Sequence, residues 1–241
     1  MVERRTKLDV AMRDRPNPWA EFSLADGRGV LEADAAYIDA FNATAKTADQ
    51  RLITTAWPQP WAGDLSQARV LVLGGNPGWS PADRTWDRKL APLLAENLSA
   101  VRPIFWLDKA AARSPGGTWV RERLLANVLA ELPVEVVQAA VAMVEFHGYH
   151  SVRWAPLPVT LPSQWYSFDR VRERLADGAV VVILRAAQQW KVAVPELIGH
   201  PNVLTTRSVQ NVRLSPKNLS DDGWKQLMAP LYGVHRIWFG G

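Results

Sequence analysis

Apolar runs alternate with helical stripes along most of this chain. RVLVLGG (69–75) and AVVVILR (179–185) are continuous and β-branched, as a strand covered on both faces requires. Shorter runs predict strands over 141–146 and 202–206, and a brief one over 101–107. Between them the spacing turns helical. Ala35, Ala36, Ile38, Phe41 and Ala45 share one face of a helix over 33–45. Leu90, Leu93, Leu94 and Leu98 form the stripe of a helix within 86–100. Ser80 and Pro81 suit its start, and Thr118 suits the cap of a helix running to Leu132. VVQAAVAMVEF (136–146) suits helix or strand, and a helix giving way to the strand near Val141 is preferred. Further helices are read over 168–175 up to Asp177-Gly178, over 186–197 with Pro195 near the end, and from about Trp224. WPQPW (57–61) is a rigid loop, because each Pro restricts the residue before it.

Strands alternating with helices predict an α/β fold, three-layer α-β-α, with a mostly parallel central sheet of about four strands. The chain reads as a single domain, with 1–50 an N-terminal extension and 51–235 the core. Such sheets bind ligands beyond the carboxyl ends of their strands. GGNPGW, EFHGYHS, RAAQ and RSVQN all fall there, so a shared pocket is expected.

Composition narrows the chemistry. Among 241 residues, Lys plus Arg exceed Asp plus Glu by 28 − 24 = 4, which permits a polyanion partner without demanding one. The absence of Cys excludes disulfides, thiolate zinc sites and Cys nucleophiles. The first residues are too charged for a signal peptide, and no apolar run approaches transmembrane length. A cytoplasmic monomer with no membrane contact is expected. The 12 Trp against 4 Tyr and 6 Phe stand out. Several lie in Pro- and Gly-rich loops, where they either pack the loops or offer faces for base stacking.

The most specific string is VLVLGGNPGWS (70–80). It is not a Walker loop, since no Lys-Ser/Thr follows Gly78, nor a dinucleotide fingerprint, since Pro77 and Pro81 interrupt the helix that should open there. A structural turn remains open. G-x-N-P-G after a buried strand resembles the first motif of the uracil-DNA glycosylase superfamily, in its mismatch-specific, thymine-DNA and single-strand-selective branches. The upstream PQPWAGDLSQAR and the closing strand NVLTT fit the same plan, so the resemblance covers roughly 50–230.

That resemblance implies a monofunctional DNA glycosylase, acting without cofactor or metal. It flips a base from DNA into a pocket and leaves an abasic site. Asn76 matches the residue that holds the attacking water. Gly75, Pro77, Gly78, Trp79 and Trp86 would form the base pocket with Glu145 and His147. In the second motif a His or Asn usually follows the last strand; here Arg207 falls about there, so the usual donor to the base carbonyl is either absent or replaced by Arg207, as a catalytic residue, or by Asn211. The loop after it offers Asn211, Arg213, Ser215, Pro216, Lys217 and Asn218 for contacts to DNA. Glu145 occupies the place of an Asn that reads the uracil edge. As a carboxylate it accepts only, which suits an exocyclic amine such as cytosine N4; a cap or an ion-pair partner is the bland alternative. Gly78 stands where the uracil-specific branch has a bulky Tyr, leaving room beside C5. Together they point to a C5-modified cytosine, such as glucosylated hydroxymethylcytosine in phage defence, or to uracil.

His147 and His150 are read as pocket-wall or phosphate-contacting residues rather than a metal pair. Trp79, Trp86 and Tyr149 are candidates either to stack on a flipped base or to fill the core. Two rival readings stay open: a catalytically degenerate DNA-binding module of the same fold, and an unrelated small-molecule enzyme.

Overall fold

The structure, a computed structural model, describes residues 15–24, 27–208 and 210–239. The first fourteen residues of the predicted lead-in lie outside the described residues. Five strands form one sheet in the order β1-β3-β2-β4-β5: β1 Trp61–Ala62, β2 Val70–Leu73, β3 Val141–Val144, β4 Val180–Ile183 and β5 Val203–Thr205. The last four are mutually parallel, and β1 pairs antiparallel with β3 at one edge. The mostly parallel sheet matches the reading from sequence. The two-residue β1 within WPQPWA was not expected.

Every residue of β2, β3 and β4 is buried, because alternate side chains feed two separate cores. Leu71, Leu73, Val144, Val181 and Ile183 face one. It also holds Ile38 of α1 (Glu32–Thr44), Phe168 and Val171 of α6 (Gln164–Ala176), and Trp190 of α7 (Ala187–Ala193). Val70, Val72, Val141, Met143 and Val182 face the other. There they meet Val128 of α4 (Ala126–Leu129), Val136 and Val137 of α5 (Val134–Ala140), and Leu227 and Leu231 of α9 (Asp221–Phe239). Helices thus cover both faces. Trp19 and Ile38 sit in the first core, so these residues of the predicted extension are part of the packed body. No helix among the described residues is long and apolar enough to cross a membrane.

The connection from β2 to β3 differs most from a simple crossover. It carries α2 (Asp83–Leu98), an irregular turn over 99–114, α3 (Pro115–Trp119) and a π-helical turn (Val120–Leu124) before α4 and α5. Leu98 reaches the main core, but Leu90 and Leu94 pack with Ile104 and Ala111 in a satellite cluster. The front of α2 therefore stands off the sheet and leaves space beneath it.

Three expectations fail here. No strand forms over 101–107: Ile104, Phe105 and Leu107 are buried from a turn, fed into two different clusters. The cap of α3 is Ser114, whose side chain accepts from the Gly117 N–H with Pro115 at the first position, not Thr118. Ser80 does not cap by accepting either. Its N–H and hydroxyl both donate to Asp83 Oδ2, each at 2.6 Å.

Candidate functional site

The GGNPGW loop continues the ladder of β2 beyond the strand. The Gly74 N–H donates to the Val144 carbonyl, the His147 N–H to Gly75 and the Ser151 N–H to Pro77. WPQPW closes the other side: the Glu145 N–H donates to Pro60 and the Gln59 N–H to Gly148. Two segments with little regular structure are thereby fixed along the carboxyl edge of the sheet. Above them lies a cavity of about 470 Å³, in the range of sites that hold a drug-sized ligand.

Asn76 is half-buried at its rim. Its amide nitrogen donates to the Tyr149 carbonyl (3.0 Å) and to Ser151 Oγ (2.9 Å). Both N–H bonds are thus engaged, and Oδ1 has no protein donor among the described residues. The amide orientation follows from these two acceptors. Such an oxygen can accept from a water and hold it, but is a weak base.

Glu145 stands one residue past β3 and lies over Gly74, where an added Cβ would meet Oε2 at 2.0 Å. Neither carboxyl oxygen has a hydrogen-bond donor among the described residues, and Oε2 is sealed from solvent. Burial pushes its pKa up to about 7, against a smaller opposing pull from Arg185. Near neutral pH the group is therefore partly protonated, and as an acid it can donate as well as accept. The sequence reading treated it only as an acceptor; burial changes that.

Arg185 enters from the end of β4. The N–H groups of Leu184 and Arg185 both donate to the Leu73 carbonyl, after which Ala186 turns left-handed at φ 52°. That turn opens α7 and leaves Arg185 on the cavity wall. From α2 come Asp83 and Asp87, one turn apart. Asp87 Oδ1 accepts from the Trp57 N–H (3.0 Å). Burial, aided by the charge of Asp83 and opposed by that hydrogen bond, raises its pKa to about 6.

Six of the twelve tryptophans line this one cavity: Trp61, Trp79, Trp86, Trp106, Trp119 and Trp154. The abundance of Trp is thus concentrated on a site and is not scattered loop packing. The Trp106 ring lies over Gly116, where an added Cβ would stand 3.4 Å from it, an ordinary contact. Trp79 meets His150 edge-on at 5.1 Å. His150 has Nδ1 2.7 Å from the Gly78 carbonyl and Nε2 3.1 Å from that of Trp57. Burial holds its pKa down, so the neutral ring donates to one of them and pins the loop from below.

Of the predicted pocket residues, Gly75, Asn76, Pro77, Gly78, Trp79, Trp86 and Glu145 line the cavity. Gly78 is exposed, and a Cβ on it would meet nothing within 4 Å. His147 does not line it. It is 2% exposed, stacked on Trp154 at 5.3 Å, with neither ring nitrogen hydrogen-bonded and a pKa lowered by burial to about 3. Tyr149 is core: its hydroxyl donates to the buried Asp34 at 2.7 Å.

The loop after β5 carries Arg207, read as catalytic, and the residues read for contact with DNA. Arg207 is exposed and, with Asn211, Arg213, Ser215, Pro216, Lys217 and Asn218, is not part of the cavity wall. Asn218 is buried and ties the loop together, donating to the Asn211 and Arg213 carbonyls and accepting from the Ser208 N–H. Ser215 is buried too; its carbonyl accepts the first bonds of α8 (Pro216–Leu219). Arg213 donates to the Glu122 carbonyl. Only Arg207, Asn211 and Lys217 remain exposed. Residues the sequence reading did not single out include Arg185, Trp106, Trp119 and Ser151. RAAQ at a strand end flagged the first, and the Trp count the next two.

Comparison with protein-family models, with curated proteins and with solved structures returned no match for this chain.

Proposed function

We propose that the protein is a DNA glycosylase that takes a flipped pyrimidine into the cavity and hydrolyses its N-glycosidic bond. The observation carrying this reading is Asn76 at the cavity rim, its amide N–H groups held and its carbonyl oxygen free, with Glu145 on the neighbouring strand end. Asn76 holds the water. The bond breaks toward an oxocarbenium-like sugar, and hydrogen bonds and dipoles around the cavity stabilise the departing base. Glu145 reads the base edge. As a neutral acid it pairs with cytosine by accepting from the N4 amine and donating to N3. The same acid also matches uracil, accepting from N3–H and donating to O4. The room beside Gly78 and toward the tryptophans of the β2–β3 crossover favours a base enlarged at C5, with modified cytosine the preferred substrate.

The test is strand cleavage at abasic sites after incubation with oligonucleotides carrying uracil, 5-carboxylcytosine or glucosylated hydroxymethylcytosine. Wild type is expected to act on a modified cytosine and Asn76→Ala to lose at least about tenfold, a barrier change near 1.4 kcal/mol. Absence of abasic product from all three would sink the reading. One observation favours a second: Arg207 stays out of the cavity, so the second motif supplies no donor there. On that reading the protein binds DNA without cutting a base out, and Asn76→Ala changes affinity alone.

A further inference from the structure

A second depression, of about 340 Å³, lies beside the main cavity and is lined by Ile53, Thr55, Trp79, Arg84, Asp87 and Arg88. Trp79 and Asp87 line both, so the two spaces share a wall. Arg84 and Arg88 stand one turn apart on α2, both exposed. Neither has an ion-pair partner among the described residues. Two like charges at this spacing repel, and Arg84 sits in the first turn of α2, where the helix dipole disfavours a cation. No ion pair among the described residues offsets either cost. Asp83, the nearest carboxylate in sequence, has Oδ2 taken by Ser80. Asp87 has Oδ1 taken by Trp57.

Two unpaired guanidinium groups, a hydroxyl at Thr55 and a half-exposed indole edge match a phosphodiester chain with bases beside it. Arg pairs with phosphate through two parallel N–H bonds, and Trp offers a stacking face to any base. A nucleotide whose base enters the main cavity must leave its phosphates outside, close to the cavity mouth. We infer that this groove holds the DNA backbone next to the flipped nucleotide, with Arg84 and Arg88 on its phosphates and Trp79 against a neighbouring base. The inference rests on the glycosylase reading for its ligand. It moves the DNA contacts from the loop after β5 to the front of α2.

Fluorescence anisotropy with a labelled single-stranded oligonucleotide, over a range of salt, tests it. Arg84→Gln/Arg88→Gln should bind at least about tenfold more weakly, with a slope of log K against log salt shallower by roughly 1.4, as two lost phosphate contacts predict. Arg84→Lys/Arg88→Lys should restore most of the slope, which a mere folding defect in the Gln pair would not predict. An unchanged slope in the Gln pair, or the same loss in Arg213→Gln/Lys217→Gln instead, overturns the groove. Abasic-site cleavage separates the two ideas. Groove-dependent binding with no abasic product leaves the groove standing and removes the glycosylase. Cleavage unaffected by the Gln pair does the reverse. A wild-type protein with no salt-dependent affinity removes both.

Discussion

Glu145 rests its carboxyl on Gly74, so closely that any side chain at 74 would occupy the place of Oε2. The two residues directly follow adjacent parallel strands, β2 and β3, and the missing Cβ of one makes room for the acid of the other. Gly74→Ala should therefore displace Glu145 rather than the sheet, because the atom in the way ends a flexible side chain. The melting temperature should fall by only a few degrees, an effect of about 1 kcal/mol. Base excision should fall at least about tenfold. Thermal melting alongside the abasic-site assay reads both, and a large stability loss with activity kept would contradict the arrangement.

The pKa of Glu145, raised to about 7, gives a pH signature. The folded state holds this proton more tightly than the unfolded chain, whose carboxyl titrates near the ordinary 4.5. The contribution to stability is complete below that ordinary value and is lost as pH climbs through about 7. Glu145→Gln removes the titration while keeping the shape. The variant should melt higher than wild type at pH 8, and the gap should close by pH 5. Melting curves across that range suffice, and a gap independent of pH refutes the buried acid.

Ser151 accepts one of the two N–H bonds that orient Asn76. Ser151→Ala leaves the other bond, to Tyr149, in place. The amide then rotates more freely at a cost of about 1 kcal/mol in orientation. Turnover should fall about fivefold, a barrier change near 1 kcal/mol, with little change in KM. Steady-state kinetics separates this from a loss of binding, which would raise KM instead.

Asp34 is wholly buried and accepts from the Tyr149 hydroxyl, the Ser163 N–H and the Ser163 hydroxyl. Asp34→Ala strands three donors at once and should cost about 3 kcal/mol. Denaturant titration measures it. Because the Tyr149 carbonyl also holds Asn76, turnover should fall in the residue that remains folded.

The central strands were legible because burial on both faces leaves an unbroken apolar signature, as in VVVI of β4. The loop at the end of β2 was legible because Gly, Asn and Pro have few other uses at a strand end. Less visible were places where context outranks pattern. VRPIFWL has a strand's composition, yet its side chains divide between two clusters from a turn. Ser114-Pro115 and Ser80-Pro81 look alike in sequence. One accepts as a cap, and the other donates to Asp83, whose position three residues on decides the matter. β1 is too short to carry any period. Arg207 held the expected place along the chain, but β5 is an outer strand of the sheet, so the loop after it ends beside the structure rather than over the cavity.

The cavity has two kinds of wall. Asn76, Glu145 and Arg185 belong to the edge of the sheet, where a shift of one residue would disturb every strand. Trp79, Trp86, Trp106 and Trp119 belong to the crossover between β2 and β3, which packs partly on its own satellite cluster. The division puts the guest-facing wall on a segment that packs partly apart from the sheet, so exchanging these tryptophans should change which guests fit while the strands keep their places.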